Sequence, residues 1–230
     1  MSADQNQDTR QRKVSQPVGI AGIGVVSGYG WGRKHLWDGL RSGESACVPQ
    51  TVGDVTGPVA FIPEGGDPED SVTTYGRALF ASGREAVSDA LERGWEPGRR
   101  VGMLSCTSLG EVKGWRDLYH EHDGKVGRRH YLQILPSTSP SMFMAEHDFN
   151  GPSCNVSAAC ASGNAAFILA QQWIESGFAT DVVVNATDVS VTPENASGFN
   201  SLGAIGTDGE ALEICRPFQE GGQGFARVVP

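Results

Sequence analysis

Residues 155–164 read NVSAACASGN. A short strand-like run, SCNVSAA, carries the chain to Cys160, and small residues then open a helix. From Ser162 to Gly177, Ala165, Ala166, Leu169, Trp173 and Ile174 recur at helical spacing and predict an inward face. A buried cysteine is usually a small hydrophobe. At a strand-to-helix turn it can instead be a nucleophile, because the helix dipole and the free N–H groups of the first turn favour the thiolate.

The same alternation extends outward. Downstream, DVVVNATD (181–188) is a continuous apolar run that predicts a strand buried on both faces. Upstream, RRVGMLSCTSLGE (99–111) reads as a buried strand entering a turn. TYGRALFASGREAVSDALERG (74–94) predicts a helix with Ala78, Leu79, Ala86, Val87 and Leu91 inward and Gly94 at its end. Strands alternating with helices predict a layered α/β domain. GRKHLWDGLRSGES (32–45) predicts a short amphipathic helix with Leu36, Trp37 and Leu40 on one side and Gly43 as its stop. VGIAGIGVVSGYG (18–30) suits a buried strand followed by a turn. Its Gly19, Gly22 and Gly24 run G-x-x-G-x-G, not the G-x-G-x-x-G order of a dinucleotide loop, which argues against nucleotide binding. Residues 48–74, rich in Pro, Gly, Asp and Thr, predict an irregular exposed connection. Residues 113–130 predict a surface excursion, helical in part.

Composition narrows the function classes. The chain has 230 residues, a formal net charge of −9, 39% hydrophobic and 20% charged residues, which fits a soluble globular protein. Such acidity argues against a nucleic-acid or anionic-membrane binder. A local basic patch at Lys125, Arg128 and Arg129 could still receive an acidic partner, or could simply be a solvated loop. Cys47, Cys106, Cys154, Cys160 and Cys215 are an odd, widely spaced set without a CxxC pair, so neither a disulfide framework nor a zinc site is expected. Residues 1–16 are polar and charged without an apolar core, and are expected to be a disordered tail before one domain at 17–230. No apolar run approaches the ~18 residues of a membrane span. A reducing, cytoplasmic setting is expected.

Several stretches, in order, resemble the β-ketoacyl synthases, the condensing enzymes of fatty-acid and polyketide synthesis. SAACASGNAA is similar to that family's active-site turn, and VGIAGIGVVSGYG to its opening strand. LPSTSPSMFMAEHDFNGPSCNVSAACASG resembles its approach to the nucleophile, and FNSLGAIGTDGEALEICRPFQEGGQGF the segment ending its first half. The resemblance spans about Pro17 to Phe225. It implies the N-terminal half of a thiolase-like fold, layered α/β with a mixed sheet covered by helices.

The resemblance also implies a chemistry. Cys160 matches the nucleophile that takes an acyl group from an acyl carrier protein as a thioester, and its own N–H would be one donor of the oxyanion hole. Ala158, Ala159, Ala161, Ser162 and Gly163 would let a thioester and an acyl chain come close. Met142, Phe143, Met144 and Phe199 are candidates for lining an acyl pocket, or for core or interface packing. A homodimer, or a heterodimer with a ketosynthase-like chain, is implied. No cofactor or metal is. The family's two catalytic histidines and its lysine belong to its second half, and the sequence stops at Pro230 before them; it also has Gln219 and Gln223 where aspartates are usual. Candidate in-chain bases are His120, His122 and His147; each of these, like His130, is more often a surface or packing residue. Three functions follow: an acyltransferase half that hands its acyl group to a non-carbon acceptor or needs a second chain for condensation; a non-catalytic partner subunit that shapes chain length or binds the carrier; or a cysteine hydrolase of carrier-bound thioesters. A degenerate or truncated form is also compatible.

Overall fold

Strand and helix alternate along the chain. The computed structural model describes residues 17–121, 123–125, 127–206, 209, 211–216, 218–222, 224 and 227–228. The expected tail at 1–16, His122 and Gln223 lie outside the described residues. The elements are β1 (Val26–Ser27), β2 (Gly30–Trp31), α1 (Arg33–Ser42), β3 (Val48–Val52), β4 (Val55–Ala60), α2 (Thr74–Glu92), β5 (Val101–Cys106), α3 (Val112–His120), α4 (Arg128–Gln133), α5 (Thr138–Glu146), β6 (Ser153–Val156), α6 (Ser162–Glu175), β7 (Asp181–Ala186), α7 (Pro193–Ser201), α8 (Ala211–Ile214) and β8 (Arg227–Val228).

The core is a parallel sheet in the order β6-β5-β7, with Met103 opposite both Ser153 and Val183. All of β5 is buried, and the two-residue period of a strand divides its side chains between two layers. Val101 and Met103 pack with Tyr75, Leu79 and Phe80 of α2 and Phe143 and Met144 of α5. Leu104 and Cys106 pack on the other face with Ala166 and Ala170 of α6. The result is a three-layer arrangement with α2 and α5 on one side of the sheet and α6 on the other. A smaller mixed sheet, β3-β4-β8, joins an antiparallel hairpin to a short parallel strand.

Local signals explain several helix ends. Thr73 caps α2, its hydroxyl accepting from the Gly76 N–H at 3.1 Å, and Thr192 caps α7 ahead of Pro193. Gly43 ends α1 with φ 73°, a left-handed conformation that a side chain would disfavour. Arg84 grips Asp70 and Glu146 at 2.7 Å each and so ties α2 to α5.

Three expectations are corrected. The opening run holds only the two-residue strand β1 at its end: residues 17–25 belong to no strand, and Val18, Ile20 and Ile23 are exposed. The Ile23 and Val25 N–H groups are instead taken by the carboxylates of Asp89 and Glu85 on α2, at 3.0 and 2.9 Å. Gly22 and Gly24 permit that close approach, since a Cβ at either would run into the α2 backbone at Ala86 or Ser82. Second, residues 48–60 form a hairpin rather than an irregular connection, turning at Gly53-Asp54 between the paired Val52 and Val55, with Gly53 at φ 63°. Third, Val182, Val183 and Val184 are only half-buried, because β7 is the last strand of its sheet. A groove of about 760 Å³ separates β7 from the 18–26 segment. Among the described residues no helix is long and apolar enough to cross a membrane.

Candidate active site

The three parallel strands end at one edge of the sheet, and Cys160 sits there. β6 closes at Val156, and the chain reaches α6 through a turn in which Ala159 adopts φ 49°. A left-handed alanine is uncommon and is held only where its surroundings over-determine it. Ser162 is the main restraint. Its buried hydroxyl donates to the Ala159 carbonyl at 2.6 Å and accepts from the Ala158 N–H at 2.8 Å. The Ala161 and Ser162 N–H groups close on the Ala158 and Ala159 carbonyls, both at 3.1 Å. Cys160 is thereby presented to solvent one residue before the cap of a fourteen-residue helix.

Neighbouring strands supply the walls. The Thr107 N–H donates to the Val156 carbonyl at 3.2 Å, continuing the β5–β6 pairing past the end of β5. The Ser162 hydroxyl also lies 3.4 Å from the Thr107 carbonyl oxygen. Beyond β7, the Asp188 carboxylate accepts from the Ser108 and Leu109 N–H groups at 2.9 and 3.2 Å and from the Thr107 hydroxyl at 3.3 Å. The sequence reading missed Asp188 and Thr107. The signal available was their position just after apolar parallel strands, where α/β folds place functional groups.

Among the described residues, neither His120 nor His147 bonds to this turn. His147 follows α5 and is pressed between Phe143 and Phe149, with ring centroids 4.4 and 5.3 Å away. That is the opposite layer from α6, and burial pushes its imidazole pKa down. His120 ends α3, exposed, 3.9 Å from a Glu194 carboxylate oxygen. Among the described residues no hydrogen bond or ion pair joins either to Cys160. His122 lies outside the described residues.

The acyl-pocket candidates separate too. Phe143 is completely buried in the core between α2, α5 and β5, a packing position. Met142 and Phe199 are exposed on α5 and α7. None of the three lines the groove beside β7 or the smaller cavity near Glu111. In the basic patch, Arg129 donates to the Glu69 carbonyl at 3.0 Å and Lys125 lies 3.7 Å from Asp123. Cys106 is buried against α6, and burial pushes its thiol up to about 11. Among the described residues no cluster of three or more His, Cys, Asp or Glu side chains is arranged to hold a metal ion.

Glu111, in the loop between β5 and α3, is only 3% exposed. It accepts from the Thr73 hydroxyl and so links the starts of α2 and α3. It borders a cavity of about 210 Å³ with Tyr75, Arg77 and Asp117. Burial, opposed by the Thr73 hydrogen bond, raises its pKa from 4.5 to about 7. The native protein therefore keeps this proton across a range where the unfolded chain has lost it. The stability that Glu111 contributes is fully present below pH 4.5 and is lost as pH rises toward 7. Glu111→Gln should remove that decline, which amounts to on the order of 3 kcal/mol. Urea titrations at several pH values test this: parallel wild-type and variant curves between about pH 5 and pH 8 would contradict it.

Residues 64–228 match the family model described as the N-terminal domain of β-ketoacyl synthase. The chain is 28% identical over 161 residues to 3-oxoacyl-[acyl-carrier-protein] synthase 2 of Staphylococcus aureus, covering 68% of this chain and 39% of that relative. It is 25% identical to the chloroplastic 3-oxoacyl-[acyl-carrier-protein] synthase I of Hordeum vulgare, covering 97% of this chain and 53% of the relative. The chain thus spans about half or less of the length of these relatives. Its fold superimposes on the ishigamide ketosynthase/chain length factor with a TM-score of 0.66 at 22% identity, covering 89% of this chain and 54% of that one. A β-ketoacyl synthase from Burkholderia phymatum STM815 gives 0.65 at 20% identity, with 89% and 55% covered. With a strand–cysteine–helix turn at the end of a parallel sheet and a domain match across most of its length, the chain belongs to the β-ketoacyl synthase family, as that family's N-terminal domain.

Proposed function

We propose that this chain loads an acyl group onto Cys160 in a fatty-acid or polyketide-type pathway. The Cys160 thiolate attacks the carbonyl of an acyl carrier protein thioester, and the new carbon–sulfur bond forms as the carrier's thiolate leaves and takes up a proton. The Cys160 N–H serves as one donor for the oxyanion of that step. The single observation that carries the reading is the exposed Cys160 in a restrained turn at the N-terminus of α6. Carbon–carbon condensation needs groups beyond the described residues, and we assign it to a site completed from outside them, for example by a second ketosynthase-like chain. The open edge of β6, where Ser153, Cys154 and Asn155 are exposed, offers a pairing surface for such a chain or for a second copy. The unpaired thiols suit a reducing compartment, the cytoplasm.

One experiment separates this reading from its alternatives. The protein is incubated with an acyl-carrier thioester, and its intact mass and the released products are followed over time. The expected result is a mass gain of one acyl group that persists until an acceptor or a second ketosynthase-like chain is supplied. Steady release of free acid would select the hydrolase. Carrier binding without a mass gain would select the non-catalytic subunit.

A further inference from the structure

We infer that Asp188 is a positioning residue for Cys160, acting through the 107–110 loop and Ser162. The inference rests on the proposed acyl loading for its functional meaning, but its geometry stands independently. One carboxylate oxygen of Asp188 gathers three donors from the loop: the Ser108 N–H, the Leu109 N–H and the Thr107 hydroxyl. The Thr107 hydroxyl oxygen accepts in turn from the Gly110 N–H at 2.7 Å. These bonds fix the loop from both ends. The loop meets the nucleophile's segment at two points, the Thr107 N–H on the Val156 carbonyl and the Thr107 carbonyl near the Ser162 hydroxyl.

Ser162 passes this restraint to the turn. It holds Ala158 and Ala159 directly, and Ala159 is the left-handed residue that turns Cys160 outward. An alanine at φ 49° is not at rest by itself. Without its anchors the turn can relax, and the sulfur and N–H of Cys160 then lose their relation to an incoming carbonyl. The other Asp188 oxygen is buried, with no hydrogen-bond partner among the described residues. A buried carboxylate oxygen without a partner costs stability. The first oxygen, with its three donors, is what Asp188 offers in return: order in the 107–110 loop.

A loss of positioning differs from a loss of thiol chemistry. Transfer from an acyl thioester needs the sulfur and the oxyanion donor in register, and a displacement near 1 Å can cost about 100-fold. Alkylation by iodoacetamide needs only a reachable thiolate. Asp188→Ala and Ser162→Ala should each slow acylation of Cys160 by about tenfold to 100-fold while changing its iodoacetamide rate by less than about threefold. Asp188→Asn keeps an acceptor oxygen and should recover most of the acylation rate. Hydrogen–deuterium exchange at 155–165 supplies a readout independent of acylation. Exchange there should be about tenfold faster in both alanine variants, with protection in β5 unchanged. Unchanged exchange at 155–165, or equal losses toward both reagents, would overturn the inference. Failure of the wild-type protein to acylate would overturn the proposed function alone, since the exchange comparison still decides the positioning role.

Discussion

Cys160→Ser is expected to reduce formation of the acyl adduct by about a thousandfold or more. A serine hydroxyl at this position has the same turn and the same N–H donors, but it lacks the thiolate that makes the attack. The other cysteines set the contrast. Cys106 is sealed between β5 and α6 with its thiol raised to about 11, so it stays protonated and out of reach. Cys154 is exposed on β6, but its thiol faces the Asn155 carbonyl at 3.3 Å in a strand with no helix terminus behind it. Cys215 is exposed after the four-residue α8. Cys154→Ser and Cys215→Ser should therefore leave the adduct rate within about twofold of wild type. Equal losses across the three single variants would show that exposure alone, not the turn, governs reaction.

Phe143→Ala is the second large effect, about 3–5 kcal/mol of lost stability. The ring is fully buried at the centre of the layer formed by α2, α5 and β5. It lies 6.1 Å from the tilted Phe80 ring, 6.4 Å from the edge-on ring of Phe149, and 4.4 Å from His147. Gly83 of α2 leaves the space it fills: a Cβ there would come within 2.6 Å of the ring. Truncation removes the ring's burial and leaves a cavity walled by rigid helices. Met142→Ala, one residue away but exposed, should cost less than about 1 kcal/mol. Urea midpoints at unchanged slope give the comparison, and similar midpoints for the two variants would contradict the placement of Phe143 in the core.

Much of this architecture was legible because period and punctuation agree. The 3.6-residue pattern of 74–94 and its Gly94 give the extent of α2, although Leu91 is exposed rather than inward, and the run RRVGMLSCTSLGE contains the buried β5. The turn at Cys160 was legible because a short strand, a cysteine and a small-residue helix start follow one another directly. The opening segment misled, since an apolar β-branched run says nothing of whether its N–H groups meet a strand or the carboxylates of Asp89 and Glu85. The hairpin at 48–60 was hidden by Pro49 and Pro58 and by its exposed first strand, although Gly53-Asp54 between valines was a usable turn signal. The roles of His147, Phe143, Glu111 and Asp188 depend on which layer each side chain enters and what it meets there. Spacing along the chain does not encode that.

The central claim is that Cys160 carries the acyl group as a thioester. The most direct measurement is site-resolved mass spectrometry of the wild-type protein after exposure to an acyl-carrier thioester, with and without hydroxylamine, which cleaves thioesters. The account predicts one acyl group, fragment-mapped to Cys160 and lost on hydroxylamine treatment. An unmodified protein, or an acyl group mapped to Cys154, Cys215 or a lysine, would contradict it.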